Sequence, residues 1–170
     1  AVGGVSLTGA ETLTNKTLTA PAISQVVFPA TQEASAGANT LDDYEEGTWT
    51  IVFLFGFPGA NVGMTFGTQA GGYTKIGRMV TIDGTCILTG KGSSTGQALI
   101  GGLPFSAAVE GSLAIAISNI TFANQIFARY VATTTSCDMR ECTEAGAGTD
   151  IDNNNFTATS TIALAGTYRV

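Results

Sequence analysis

From Thr48 onward, apolar residues fall at every second position in several short runs. In TWTIVFLF (48–55), Trp49, Ile51, Phe53 and Phe55 share one face, with Val52 and Leu54 on the other. That pattern predicts a strand covered on both sides. The run from Met79 to Leu88 puts Val80, Ile82, Cys86 and Leu88 together, with Thr81, Asp83 and Thr85 opposite. Its inward Gly84 marks a bulge or a close backbone approach. In SLAIAIS, Leu113, Ile115 and Ile117 line one side and Ala114 and Ala116 the other; after Phe156, one face collects Phe156, Ala158, Ile162, Leu164, Tyr168 and Val170. The segments FGFPGANVG, TQAGG, GKGSSTG and TEAGAGTDIDNNN separate these runs, and their Gly, Pro and Asn content reads as turns. No window holds an apolar i, i+3, i+4, i+7 pattern long enough for a helix. Short strands between turn signals predict an all-β fold, a β-sandwich or jelly-roll-like head.

The first forty residues follow another rule. Their apolar side chains are isolated (Leu7, Leu13, Leu18, Ile23, Val26, Val27, Phe28), interrupted by Pro21 and Pro29, with only Glu11, Lys16 and Glu33 charged. In ETLTNKTLTAPAI, Leu13 and Leu18 are five residues apart, which suits neither the helical nor the strand period. A ribbon of this kind needs a neighbour, and three copies around an axis would bury Leu13, Leu18 and Ile23 against one another. Each buried Leu or Ile contributes about 1.5–3 kcal/mol, against about 1–2 kcal/mol per residue of ordering entropy. Residues 1–40 are therefore expected to form an extended stem or oligomerisation arm that depends on a head at 41–170. The stretch ASAGANTLDDYEEGTW reads as the joint between them.

Composition narrows the partners. The chain has 170 residues, 22 of them Gly, and 12% charged residues, where ordinary soluble domains have about 7% Gly and about 25% charge. The polar surface is thus Ser, Thr, Asn and Gly, suited to a turn-rich β protein. Net charge is −6, and the seven basic residues (Lys16, Lys75, Arg78, Lys91, Arg129, Arg140, Arg169) are scattered, so no cationic stripe for nucleic acid is expected. The apolar run Ile51 to Phe55 falls far short of the ~20 residues of a membrane span, and no membrane insertion is expected. The opening AVGGVSLTGA has no basic n-region and no Met, as in a processed product or an excised fragment.

Catalytic chemistry finds little purchase. There is no His, which removes Ser-His-Asp and Cys-His nucleophiles and the commonest zinc ligand. The Gly-rich segments lack the GK[ST] ending of a phosphate cradle, so no cofactor is expected. Asp42, Asp43, Glu45 and Glu46 flank Tyr44 ahead of Trp49. They read as a solvated loop at the joint, or else as a glycosidase pair beside an aromatic platform or oxygen ligands for Ca2+. DIDNNN (150–155) is a second oxygen-rich loop. Cys137 and Cys142 bracket CDMREC, a spacing that suits two strands facing across a tight loop. A disulfide requires their Cα atoms to come within about 7 Å; two free thiols are the alternative in a reducing cytoplasm. Cys86 reads as a small core residue.

Three stretches, ETLTNKTLTAP (11–21), NTLDDYEEGTWT (39–50) and GGYTKIGRMVTIDG (71–84), occur in that order. The ordered set resembles bacteriophage tail-fibre and related virion-appendage proteins, and STGQALIGGLPF (94–105) and GTYRV (166–170) are similar to the same family. The resemblance implies an extended stem before a compact C-terminal β head, assembled as a homotrimer on the virion surface with other virion proteins. The family usually has Asn where this chain has Arg78 and Pro where it has Ile51. Both positions are expected at strand edges, changing surface chemistry and leaving the fold intact.

On that resemblance the expected function is a non-enzymatic virion structural protein, made in the host cytoplasm: the C-terminal part of a trimeric tail fibre that contacts a host-surface glycan or protein. A capsid decoration protein or head fibre is the alternative, followed by a polysaccharide depolymerase and a prophage-borne adhesion module. The loops at 54–67 and 143–155 are the expected contact surface, through Phe57, Asn61, Met64, Asn153, Asn154 and Asn155. Three copies would raise a modest affinity per site by avidity.

Overall fold

The computed structural model describes residues 44–170, together with Gln25 and Val27. The stem positions Leu7, Leu13, Leu18, Ile23, Val26 and Phe28 lie outside the described residues, as do Asp42 and Asp43. Ten strands follow one another: β1 (Tyr44–Trp49), β2 (Val52–Phe55), β3 (Met64–Ile76), β4 (Met79–Lys91), β5 (Ala98–Gly101), β6 (Gly111–Ile120), β7 (Gln125–Tyr130), β8 (Ser136–Cys142), β9 (Gly148–Asp150) and β10 (Phe156–Arg169). Among the described residues there is no α-helix, only a 3₁₀ turn at Asn153–Asn155.

The all-β expectation holds at that level. In place of two separate sheets, the strands pair antiparallel into one, in the order β1-β3-β4-β10-β6-β7-β8-β5-β2, with β9 also on β8. Strand β6 belongs to both halves: Gly111–Leu113 pair with β7 and Ala114–Ser118 with β10. The sheet curls into a half-barrel whose halves share one interior. Phe53 and Phe55 of β2 meet Phe156 of β10 edge-on, with ring centroids 5.2 and 5.1 Å apart, though four strands separate β2 from β10 along the sheet. Such edge-to-face pairs add about 0.5–1.5 kcal/mol to the area they bury.

The curl is imposed by connectivity. Strands β1 and β2 form opposite edges of the sheet, yet only Thr50 and Ile51 join them. At that crossing the indole of Trp49 lies on a floor without side chains. A Cβ built on Gly71 would lie 2.6 Å from Trp49 Cε2, and one on Gly84 would lie 3.2 Å from Cζ2. Trp49 Nε1 donates to the carbonyls of Gly72 (3.2 Å) and Asp83 (3.0 Å). Gln69 Nε2 donates to the Ile51 carbonyl at 3.0 Å.

Burial follows the alternation closely. Trp49, Ile51, Phe53 and Phe55 are buried, as are Val80, Ile82, Cys86 and Leu88, while Val52 and Leu54 are half-covered. Three expectations need correction. Ile51 is fully buried: the crossing turns it inward, so it carries core packing instead of surface chemistry. TQAGG (68–72) is strand, lying within β3; its small residues make room for Trp49, and the alternation disappears there. Ala158 is exposed, because a register shift between Phe156 and Thr161 lifts it out of the ladder. In that bulge the buried Ser160 hydroxyl donates to the Asn119 carbonyl (2.6 Å) and accepts from Thr157 N (2.8 Å).

Gly71→Ala should force the indole from its floor and cost about 1–3 kcal/mol, the usual penalty for overpacking. Denaturant unfolding followed by the fluorescence of Trp49, the single tryptophan, checks this, with a lower midpoint and a red-shifted native emission expected.

Candidate functional site

The strands give the described domain two unlike ends, separated by the length of β3, about 40 Å for thirteen residues. At the near end Tyr44 pairs with Ile76, and Met79 with Arg169. Arg78 Nε donates to the Val170 carbonyl at 2.9 Å, and Ala108 N to the Arg169 carbonyl at 2.7 Å. Exposed apolar side chains gather here: Tyr44, Ile76, Met79 and, beside Ala108, Val109.

The far end is built from loops hydrogen-bonded to one another and to the end of β8. Val62 N donates to Ser94 Oγ (2.8 Å), and Ser93 N returns a bond to the Val62 carbonyl (2.9 Å). Gly96 N donates to Asn153 Oδ1 (2.8 Å), and Lys91 Nζ to the Asn153 carbonyl (3.0 Å). Asn155 Nδ2 donates to the Thr121 carbonyl (2.7 Å), and Thr121 N to the Asn155 carbonyl (2.9 Å). Glu141 accepts from the amides of Ala123 (2.8 Å) and Asn124 (3.2 Å). There a cleft of about 350 Å³ is lined by Asn124, Gln125, Cys142, Thr143 and Glu144.

Of the contact positions read from sequence, Asn61, Met64, Asn153, Asn154 and Asn155 all come to this end. Their availability differs. Asn155 Oδ1 accepts from Asp152 N (2.9 Å), while the Asp152 carboxylate accepts from Asn154 N (2.7 Å) and Asn154 Nδ2 (3.2 Å). DIDNNN is thus a self-capped turn in which Asn153 and Asn155 hold loops together. Asn61 and Asn154 face solvent and Met64 is half-buried. Sequence reasoning missed the loop after β6, where Phe122 is 47% exposed, just beyond Asn119, which adopts φ 55° near the end of that strand. An isolated aromatic between Thr121 and Asn124 was its only signal. Phe57 stands apart, 75% exposed on the flank of the sheet.

Two further readings change. Glu45 and Glu46 belong to strand β1, not a loop. As neighbours on a strand they point to opposite faces, where Tyr73 OH bonds Glu45 and Tyr44 OH bonds Glu46, so these two do not form a catalytic pair. Cys137 and Cys142 sit on the same strand, β8. Five residues of strand span about 17 Å, beyond the roughly 7 Å a disulfide tolerates, and both thiols are free. Burial pushes the Cys86 thiol up to about 11 and also raises that of Cys137, which keeps both protonated and unreactive.

No protein-family model matches this chain, and no curated protein matches it either.

Asn155→Ala should cost about 1–2 kcal/mol, because it leaves the Asp152 amide and the Thr121 carbonyl without partners. Asn154→Ala should stay within about 0.5 kcal/mol. Denaturant midpoints of the two variants separate these roles. Thiol alkylation under native conditions should modify Cys142 first, with Cys86 and Cys137 reacting only on unfolding, as intact mass over time will show.

Proposed function

We propose that this chain is the C-terminal part of a bacteriophage virion fibre, acting without enzymatic chemistry to hold a host-contacting head on a trimeric stem. The observation that carries it is the polarity of the head. The chain arrives at Tyr44, at an end where Ile76 and Met79, on paired strand ends, and Val109 expose apolar surface, while the opposite end displays Asn, Ser, Thr and Gly loops with Val62 and Phe122 exposed singly among them. Apolar side chains gathered at one end of a small domain mark a surface that an assembly covers. Three heads meeting there would continue the burial that Leu13, Leu18 and Ile23 of residues 1–40 need, and would point their polar loops outward together. The ordered resemblance of 11–21, 39–50 and 71–84 to tail-fibre segments supports the same arrangement. A head so displayed gains from avidity, since three weak contacts on one rigid body act as one strong one.

Light scattering on the full chain should return three times 17.3 kDa, and replacing Ile76 and Met79 together by Ser should shift the mass toward the single-chain value. A 17.3 kDa species for the unaltered chain would remove the trimer. Antibody-gold against the full chain should label the tail of intact particles; label confined to the capsid would replace host contact with shell decoration.

A further inference from the structure

The flank that carries Phe57 is a second surface, separate from the far-end loops. On the outer side of β2, β5, β8 and β7, Leu54, Leu99, Asp138 and Arg129 stand in one cross-strand row. The row passes from apolar to charged. The turn after β2 lies over its apolar part, where a Cβ built on Gly59 would be 3.0 Å from Leu54 Cβ and 3.3 Å from Leu99 Cδ1. Phe57, in that turn, forms a wall of two clefts. One, of about 260 Å³, is lined by Gln97, Arg129, Asp138, Arg140 and Asp150; the other, of about 310 Å³, by Gly101, Gly102, Ser106, Thr133 and Thr135.

The charges in the first cleft are already matched. Arg129 Nε donates to both Asp138 oxygens (3.0 and 2.9 Å) and Nη1 to Glu110 Oε2 (3.2 Å). Arg140 Nη2 donates to the Gly148 carbonyl at 3.1 Å, and its Nε lies 2.9 Å from Asp150 Oδ1, an ion pair without hydrogen-bond alignment. Burial pushes the Asp138 carboxyl up while the Arg129 guanidinium pulls it back. Two guanidiniums against three carboxylates leave no positive field for a phosphate, sulfate or carboxylate ligand, and a cation would meet both arginines. What the wall still offers is hydrogen bonding in both directions. Arg129 Nη2, Arg140 Nη1 and the Gln97 amide have no partner among the described residues, and each carboxylate keeps lone pairs beyond those its arginine occupies.

A largely uncovered aromatic ring, beside closely spaced donors and acceptors of no net positive charge, is complementary to a neutral ring bearing adjacent hydroxyls. Each cleft is near the ~300 Å³ lower bound of small-molecule pockets, room for one sugar residue apiece. We propose that Phe57 and its two clefts bind a neutral saccharide of one or two residues. One ring stacks its C–H face on Phe57, while its hydroxyls donate to Asp138 or Asp150 and accept from Arg129, Arg140 and Gln97. This rests on the fibre reading, in which Phe57 is already expected to contact a host-surface glycan, and deepens it by naming a neutral ligand and the residues that hold it; the site lies within one chain, so its test is separate from that of the trimer.

The test is an NMR titration of the full chain with a panel of neutral mono- and disaccharides and their acidic counterparts, sialic acid and sulfated sugars included. Millimolar binding of at least one neutral sugar is expected, with shifts at Phe57, Gln97 and Asp150. Phe57→Ala should weaken it by about tenfold, the scale of one lost stacking contact. Its melting temperature should be unchanged, since the ring is 75% exposed. Gln97→Ala should weaken binding and the far-end variant Asn154→Ala should not. The proposal is overturned if no neutral sugar shifts these resonances, if Phe57→Ala binds as well as the parent, or if acidic sugars bind more tightly. None of these outcomes touches the trimer, which the mass measurement reads separately.

Discussion

The two residues between Trp49 and Val52 connect opposite edges of a ten-stranded sheet. A flat sheet cannot satisfy that connection, so it must curl until its edges lie within reach of each other. Trp49 holds the crossing by filling the space above Gly71 and Gly84 and donating its one N–H to backbone carbonyls of β3 and β4. The interior then receives Ile51, Phe53 and Phe55 from one edge against Phe156 from the middle of the sheet. Everything displayed outside depends on this closure. The near and far ends are the two ends of the closed strands, and the flank with Phe57 is the outer face of the edge that the crossing folds over.

Strands with a regular alternation were legible from sequence: β2, β4, much of β6 and the second half of β10. Those that escaped had physical reasons to do so. β3 carries Gln69, Gly71, Tyr73 and Lys75 on its inner face, because Trp49 fills the space that apolar side chains would otherwise take. Lys75 is buried there with its ammonium 5.6 Å from the Phe105 ring centroid, an arrangement no pattern of hydrophobicity announces. β8 has Cys137, Asp138 and Met139 buried in succession, since both its faces are covered, and a buried acid reads from sequence as a break. The spacing of Cys137 and Cys142 suits a tight loop between two strands, but CDMREC is itself a strand, so of the two alternatives left open by the sequence it is the free thiols that the structure holds.

The surface was legible only in part. The Asn-rich loop was recognisable as exposed and polar, but composition does not distinguish Asn154, which faces water, from Asn153 and Asn155, whose amides tie neighbouring loops together. Nor could spacing place Phe57 beside Arg129 and Asp138, more than seventy residues away. That meeting is a product of strand order, with β2, β5, β8 and β7 laid side by side. The proposed fibre role and the proposed saccharide site thus draw on different parts of one fold.

Closure by the Trp49 crossing is the claim on which the rest stands, and hydrogen–deuterium exchange of the full chain beside Trp49→Phe tests it most directly. The variant keeps an aromatic ring and loses the indole N–H that bonds Gly72 and Asp83. Protection is predicted to fall together in β1 and β3 on one side of the crossing and in β2 and β5 on the other. If β2 and β5 kept their full protection while β1 alone opened, the edges would be held independently, and the crossing would not be what closes the sheet.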